Sequence, residues 1–436
     1  MTQEISVVNS LTLIKKKMIT PGLIAGIVFL QGAATPVDGS DTWLQWRGSA
    51  RDGILKGQTW PDSLKDDSLK TMWRVPLGPS YSGPLVTVDR IFVTETRDRE
   101  KEVVVALDRK TGSRIWSTSW PGAMSVPFFA AGNGSWIRST PTLHEGDLYV
   151  AGMREVLVCL DAAAGKIKWR VDFREALKSA LPSFGCVCSP VVDGEHAYMQ
   201  AGDGFVKLDR TTGDIVWWSL NDGDGMTGGG MAGGAFSSPV IAELAGRRQA
   251  IVQTRASLTG VDLETGESLW SISVQAFRGM NILTPVVIGD QIFTSSYGGG
   301  SFLYEVSQLI DGQFTVRQVW RNKVQGYMSS PVVVDGHIYL HLRNQRFACL
   351  EIATGEERWI TQPFGKYWSL IASDHRILAL DERGELLLIR VNPAEFELID
   401  RRKISSQPTW AHLAVVEGEI VIRELQGLMS LQWQEQ

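Results

Sequence analysis

Val103-Val104-Val105-Ala106-Leu107-Asp108-Arg109-Lys110-Thr111-Gly112-Ser113-Arg114-Ile115-Trp116 is the stretch that decides the fold. Val103 to Leu107 is a β-branched run of the kind that forms strands. Asp108 to Gly112 is a turn, in which the Asp carboxylate bonds nearby backbone N–H groups and Gly takes a positive φ. Arg114 to Trp116 resumes extended chain, so the stretch predicts a β-hairpin. The same acid, Gly, Trp spacing recurs at Asp161, Gly165, Trp169; at Asp209, Gly213, Trp217; at Asp262, Gly266, Trp270; and at Glu351, Gly355, Trp359. Five occurrences at one fixed spacing mark an internal repeat.

A second hairpin precedes each of these. Ser139, Thr140 and Pro141 open a strand, Gly146 and Asp147 turn it, and Leu148 to Val150 return it. The same opening stands at Pro84, Pro190, Pro239, Pro285 and Pro331. Units around Ile371 and Leu413 keep the layout without the Pro. Eight units with a mean step of about 47 residues each match one four-stranded propeller blade. The last unit ends after its third strand near Trp433, while Met72 to Leu77, with Trp73, stands alone before the first. The predicted fold is therefore all-β: an eight-bladed β-propeller of four-stranded antiparallel blades, its ring closed by the N-terminal strand near Trp73. A closed ring also protects strand edges, whereas an open solenoid would need caps that the sequence does not show.

Composition agrees. The 436 residues are 44% hydrophobic and 21% charged, an ordinary globular balance, and 44 Gly with 16 Trp suit many tight turns between strands. Lys and Arg number 43 against 48 Asp and Glu, for a net charge of −5. No long basic run follows Lys17, so nucleic acid is a poor partner. Lys15 to Lys17, the apolar stretch Met18 to Leu30 and the small residues Gly32 to Ala34 have the layout of a secretory signal. That apolar stretch is shorter than the roughly 20 residues of a membrane-spanning helix. The expected organisation is a signal peptide over 1–34, an extended lead-in over 35–72 and a propeller over 73–436. The body is expected to be exported, periplasmic or extracellular, monomeric, and membrane-associated only through an uncleaved signal.

The acid, Thr-Gly and Trp pattern, clearest in Ala106, Leu107, Asp108, Thr111, Gly112 and Trp116, resembles the repeat of pyrroloquinoline-quinone (PQQ)-like propellers from about Trp73 to Trp433. Trp43, Gln45, Trp46, Arg47, Gly48, Arg51, Asp52 and Gly53 resemble a lead-in found before many exported bacterial propellers of this group. The family includes quinoprotein alcohol dehydrogenases and the non-enzymatic propeller subunit of the outer-membrane assembly machine. The resemblance implies that Trp116, Trp169, Trp217, Trp270 and Trp359 dock against the neighbouring blade, burying rings worth roughly 1.5–3 kcal/mol each.

The catalytic members of the family would need PQQ, a Ca²⁺ held by oxygen ligands, a proton-accepting Asp and adjacent cysteines over the ring. Here the nearest feature is Cys186, Val187, Cys188, one residue too widely spaced, and a bond between residues i and i+2 of a strand would be strained. Cys159 and Cys349 stand at the Ala106 position of their units, where a small buried residue suffices. The histidines show no metal-ligand spacing, since His337 and His341 would lie about 13 Å apart on one strand. The stretch Gly223 to Gly234, with Asp222 and Asp224 before and within it, reads as an inter-blade loop or an anion-binding rim. No catalytic residue and no metal site is expected.

Segments joining the outer strand of one blade to the inner strand of the next gather at one mouth of the channel. By alignment the rim carries Tyr81, Arg138, Phe236, Asn281, Tyr327, Trp368 and Trp410, with Cys186 and Met328 beside them, a surface for a planar or extended ligand. The sequence thus leads to a non-catalytic exported platform for an envelope protein, peptide or ligand, with no cofactor. The alternative is a PQQ-dependent alcohol or sugar dehydrogenase with PQQ and Ca²⁺.

Overall fold

The structure, a computed structural model, describes residues 41–221 and 234–434. The signal expected over 1–34 and the loop Asp222 to Gly233 lie outside the described residues. Eight four-stranded antiparallel sheets follow one another along the chain as blades 1 to 8. Blade 1 comprises Leu85–Val86, Arg90–Arg97, Lys101–Asp108 and Arg114–Pro121. In each blade the first strand is short and lies innermost.

The repeat motif builds the outer hairpin. Asp108 Oδ1 accepts from the Thr111 N–H at 2.9 Å, and Gly112, at φ 69°, donates its N–H to the Asp108 carbonyl at 2.8 Å. A bulge follows, because Ala106 pairs with Trp116 but Leu107 with Arg114, leaving Ile115 without a partner. The bulge turns Trp116 toward the next blade. There its Nε1–H donates to the Ala162 carbonyl at 3.2 Å, and its ring covers Gly165, where a Cβ would stand 2.4 Å from the ring. Trp169 docks in the same way on Gly213 and the Arg210 carbonyl.

The pattern is not uniform. Trp217 covers Gly266, but its buried Nε1 has no acceptor. Trp359 reaches the Asn392 carbonyl at 2.9 Å. Trp270 packs in the core shared by blades 4 and 5, but its N–H turns back to Gln249 Oε1 of its own blade at 2.7 Å. The reason lies in blade 5, whose outer hairpin runs long, Gly300–Gln308 into Phe314–Asn322, and carries Gly312 beyond reach of any neighbour. Two docking residues lie outside the motif: Trp320 covers Gly355 of blade 6, and Trp73 covers Gly112 of blade 1. The core lies between blades, as where Phe92, Val104 and Ala106 of blade 1 meet Leu148, Val150 and Val158 of blade 2.

Leu69–Pro76 closes the ring by pairing antiparallel with Gly427–Trp433, with Trp73 opposite Ser430. It is the outer strand of blade 8, whose other three strands come from the opposite end of the described chain.

The lead-in does more than lead in: it fills the axis. The Trp43 backbone bridges to Val86 of blade 1, the Leu44 carbonyl accepts from the Leu143 N–H of blade 2, and Ile54–Leu55 runs parallel to Ala372 and Ser373 of blade 7. These are the far ends of the inner strands. From there three side chains reach the Pro-bearing ends. Trp46 Nε1–H donates to Thr284 Oγ1 at 3.0 Å, Arg47 donates to the Pro331 carbonyl, and Arg51 donates to the Ser189 and Pro190 carbonyls at 3.0 and 2.9 Å. Past the axis, Trp60 stacks on Trp433 with centroids 5.8 Å apart, and Asp400 accepts from the Leu64 N–H, so the same segment covers the joint between blades 7 and 8.

Candidate functional site

Above this plug, at the Pro-bearing ends of the inner strands, lies a cavity of about 160 Å³. Trp46 and His412 form part of its floor, and Tyr81, Arg138, Phe236, Met328, Tyr367 and Trp410 stand around it. Tyr81 and Trp410 stack with centroids 5.1 Å apart, and Tyr367 meets the other side of Trp410 edge-on at 4.9 Å. Arg138 lies 6.0 Å from the Tyr81 centroid and is tethered to the Gly134 carbonyl, while the Tyr81 hydroxyl donates to the Asn133 carbonyl. Burial lowers the Arg138 pKa and raises that of Tyr81.

Of the residues placed at the rim by sequence, Tyr81, Arg138, Phe236, Trp368 and Trp410 border this cavity. Trp368 does so from within the protein, since it is 1% exposed and stacks on His341 at 4.7 Å. Asn281 is fully buried, and its amide donates to the Thr254, Arg255 and Val274 carbonyls, so it ties a loop together beneath the face. Tyr327 lies outside this cavity in an adjoining pocket of about 420 Å³ with Tyr297, Arg343, Lys366 and Tyr367, the two hollows sharing Met328 and Tyr367. Cys186 is buried in the core of blades 2 and 3.

Sequence alignment of the inter-blade segments did not reveal Tyr297, Arg343 or Arg255, because these sit in the turns between the second and third strands of their blades. Strand direction alternates, so those turns reach the same face. Together the two kinds of loop form an aromatic row, Tyr297, Tyr327, Tyr367, Trp410 and Tyr81. A second cluster, Phe128, Phe129, Phe184 and Phe236, continues it over blades 1 to 3, with Phe128 90% exposed. Exposed aromatic clusters of this kind mark interaction surfaces.

Among the described residues no group of three or more His, Cys, Asp and Glu is placed to hold a metal ion. The cavity is small beside the roughly 300–1,000 Å³ of ordinary small-molecule sites. Burial pushes the Cys188 and Cys159 thiols up to about 12 and Cys349 to about 11, so none is a ready nucleophile, and all four cysteines are free. His412 and His341 are buried neutral, with pKa values lowered to about 3 and about 4 by desolvation.

Among known proteins, the outer membrane protein assembly factor BamB of Yersinia pestis is 23% identical over 271 residues, 59% of this chain and 61% of that protein. The polyvinylalcohol dehydrogenase of Sphingopyxis sp. (strain 113P3) is 27% identical over 273 residues, 55% of this chain and 39% of that protein. The chain thus spans less than two thirds of the length of either. In fold it is similar to the crystal structure of BamB from Moraxella catarrhalis, with a TM-score of 0.60 at 13% identity over 84% of this chain and 98% of that one. The PQQ_2 family, described as outer membrane protein assembly factor BamB, matches residues 100–361, more than half of the sequence, and the chain belongs to that family.

Proposed function

We propose that this protein is an exported, non-catalytic propeller of the cell envelope whose aromatic mouth docks an extended segment of an envelope protein. The observation that carries the reading is the row of rings from Tyr297 to Tyr81, set over a channel that the lead-in fills. Rings in a row offer flat, low-entropy contact area suited to an extended chain, and the plug leaves the face shallow. Family membership and the similarity to BamB proteins support a role in protein interaction.

A photo-crosslinking residue in place of Met328, which is 39% exposed and borders both hollows, tests this in cells. A discrete crosslinked product is expected, lost when Trp410→Ala is added and not formed when the probe replaces Ile310 on an outer hairpin. A product that persists with Trp410→Ala would overturn the reading.

The 27% identity to a polyvinylalcohol dehydrogenase favours one second reading, a PQQ-dependent oxidoreductase. Incubation with PQQ and Ca²⁺ followed by dye reduction with alcohols or sugars separates the two. No turnover is expected.

A further inference from the structure

The pocket beside the mouth, between blades 5, 6 and 7, is lined by two cations, Arg343 and Lys366, where the mouth has Arg138. Arg343 lies 4.0 Å from the Tyr297 ring centroid, and Lys366 lies 4.7 Å from that of Tyr367. Arg343 is exposed, and no ion pair to its guanidinium exists among the described residues. Lys366 shares Glu382 at 3.5 Å, a carboxylate whose pKa burial raises. The neighbouring loops of the same face add Arg278, Lys323 and Arg383, all in exposed stretches. Asp381, the other acid nearby, is 2% exposed and is spent on the Arg383 and Glu385 backbone N–H groups. Positive charge thus gathers on one sector of a chain whose total is −5. On the floor, His341 is 2% exposed, and its Nε2 has no partner.

We infer that this pocket is an acid-accepting subsite, and that the segment docked at the mouth is an acidic peptide whose carboxylate sits between Arg343 and Lys366. The inference rests on the platform reading above and adds the chemical class of the partner. Cations held over ring faces are partly desolvated, which strengthens their pairing with a carboxylate relative to cations in open water. The ring row explains why the occupant is a chain and not a lone anion. Tyr297, Tyr327, Tyr367 and Trp410 have successive centroids 5.6, 6.0 and 4.9 Å apart, near the roughly 6.6 Å between alternate side chains on one face of an extended segment. Single-stranded nucleic acid also stacks on rings, so it is set against the peptide in the test below.

The test is fluorescence anisotropy with the full chain and three labelled probes: a peptide of Glu-Glu-Tyr-Tyr repeats, which places both residue types on each face of an extended chain, the same peptide with Gln for every Glu, and oligothymidylate of equal length. The Glu peptide is expected to bind about tenfold or more tighter than the Gln peptide, and to weaken with added salt. Arg343→Gln with Lys366→Gln is expected to remove that advantage, so that the Glu and Gln peptides bind the variant equally, while circular dichroism shows the propeller still folded. Equal binding of the two peptides, no binding of either, an unaffected double variant, or tighter binding of oligothymidylate would each overturn the inference. If it fails while the Met328 crosslink still depends on Trp410, only the acidic assignment falls. If that crosslink fails too, the platform reading falls with it.

Discussion

The indole Nε1–H of Trp73 donates to the Arg109 carbonyl at 2.9 Å, across the seam where blade 8 meets blade 1. Trp217 covers the equivalent turn between blades 3 and 4 with its Nε1 buried and unpaired. The two residues therefore separate the ring contact from the hydrogen bond. Trp73→Phe should cost about 1 kcal/mol more than Trp217→Phe, the net worth of one such bond. Both Trp→Ala variants should cost about 2–4 kcal/mol, given their partial burial. Chemical denaturation of the four variants checks both orders.

Gly165 and Gly146 both have positive φ, 69° and 84°, but only Gly165 lies under an indole. Alanine at either position bears the backbone strain of about 1–2 kcal/mol. At Gly165 the new methyl also meets Trp116, so Gly165→Ala should destabilise by about 1–3 kcal/mol more than Gly146→Ala. Equal losses would mean that the Trp116 ring is not held there.

Glu102 is fully buried at the joint of blades 1 and 2, accepting from the Met153 N–H at 2.6 Å and the Trp120 indole at 3.2 Å. Desolvation raises its pKa to about 7 from an ordinary 4.5, and Glu155 at the next joint is raised likewise. Between those pH values the folded state holds more protons than the unfolded one. The contribution of Glu102 is thus full below pH 4.5, declines as pH rises toward 7, and is flat above. Buried His341 and His412, with lowered pKa values, act in the opposite direction below about pH 6.5. Comparing Glu102→Gln with the parent cancels them. The variant should gain on the parent by on the order of 2 kcal/mol between pH 5 and pH 8, read from urea midpoints.

Arg47 and Arg51 are 1% and 3% exposed, and burial lowers both pKa values to about 10, so both are charged at neutral pH. Arg51→Met removes the charged hydrogen bonds to the Ser189 and Pro190 carbonyls and should cost about 2–4 kcal/mol. Limited trypsin treatment gives a local reading. The parent should resist cleavage after Arg47 and Arg51, whereas the variant should be cut after Arg47. Resistance in both would show that Arg47, the tryptophans and the Ile54–Leu55 pairing hold the segment without Arg51.

Ring architecture was legible because its signal is local: the acid, the Gly and the Trp of each outer hairpin lie within nine residues, as from Asp108 to Trp116. Docking itself was less so, because it depends on the turn of the next blade. Trp270 fits the motif yet faces a hairpin of different length, while Trp320 stands eight residues after Gly312 and was hidden by that same hairpin. Trp73 has no preceding turn, since its hairpin partner, Gly427–Trp433, is the last strand. At the mouth, Tyr81 and Trp410 followed from topology, but Asn281 shows that loop membership does not fix which way a side chain turns. The lead-in carried a signal that went unread: two Trp, two Arg and two Gly within Trp43 to Gly53 are dense for a tether.

The seam and the plug share one stretch of chain, and this sets an order of events. Arg74 pairs with Glu424 across a separation of 350 residues, and Trp60 meets Trp433. While the protein is being synthesised, the strand Leu69–Pro76 has no partner until Gly427–Trp433 of the eighth sheet exists. The growing arc of blades must wait with a bare edge, open to pairing with other chains. Shortening the chain by its last strand would therefore leave Leu69–Pro76 unpaired and a gap in the circle, and aggregation would be the first symptom.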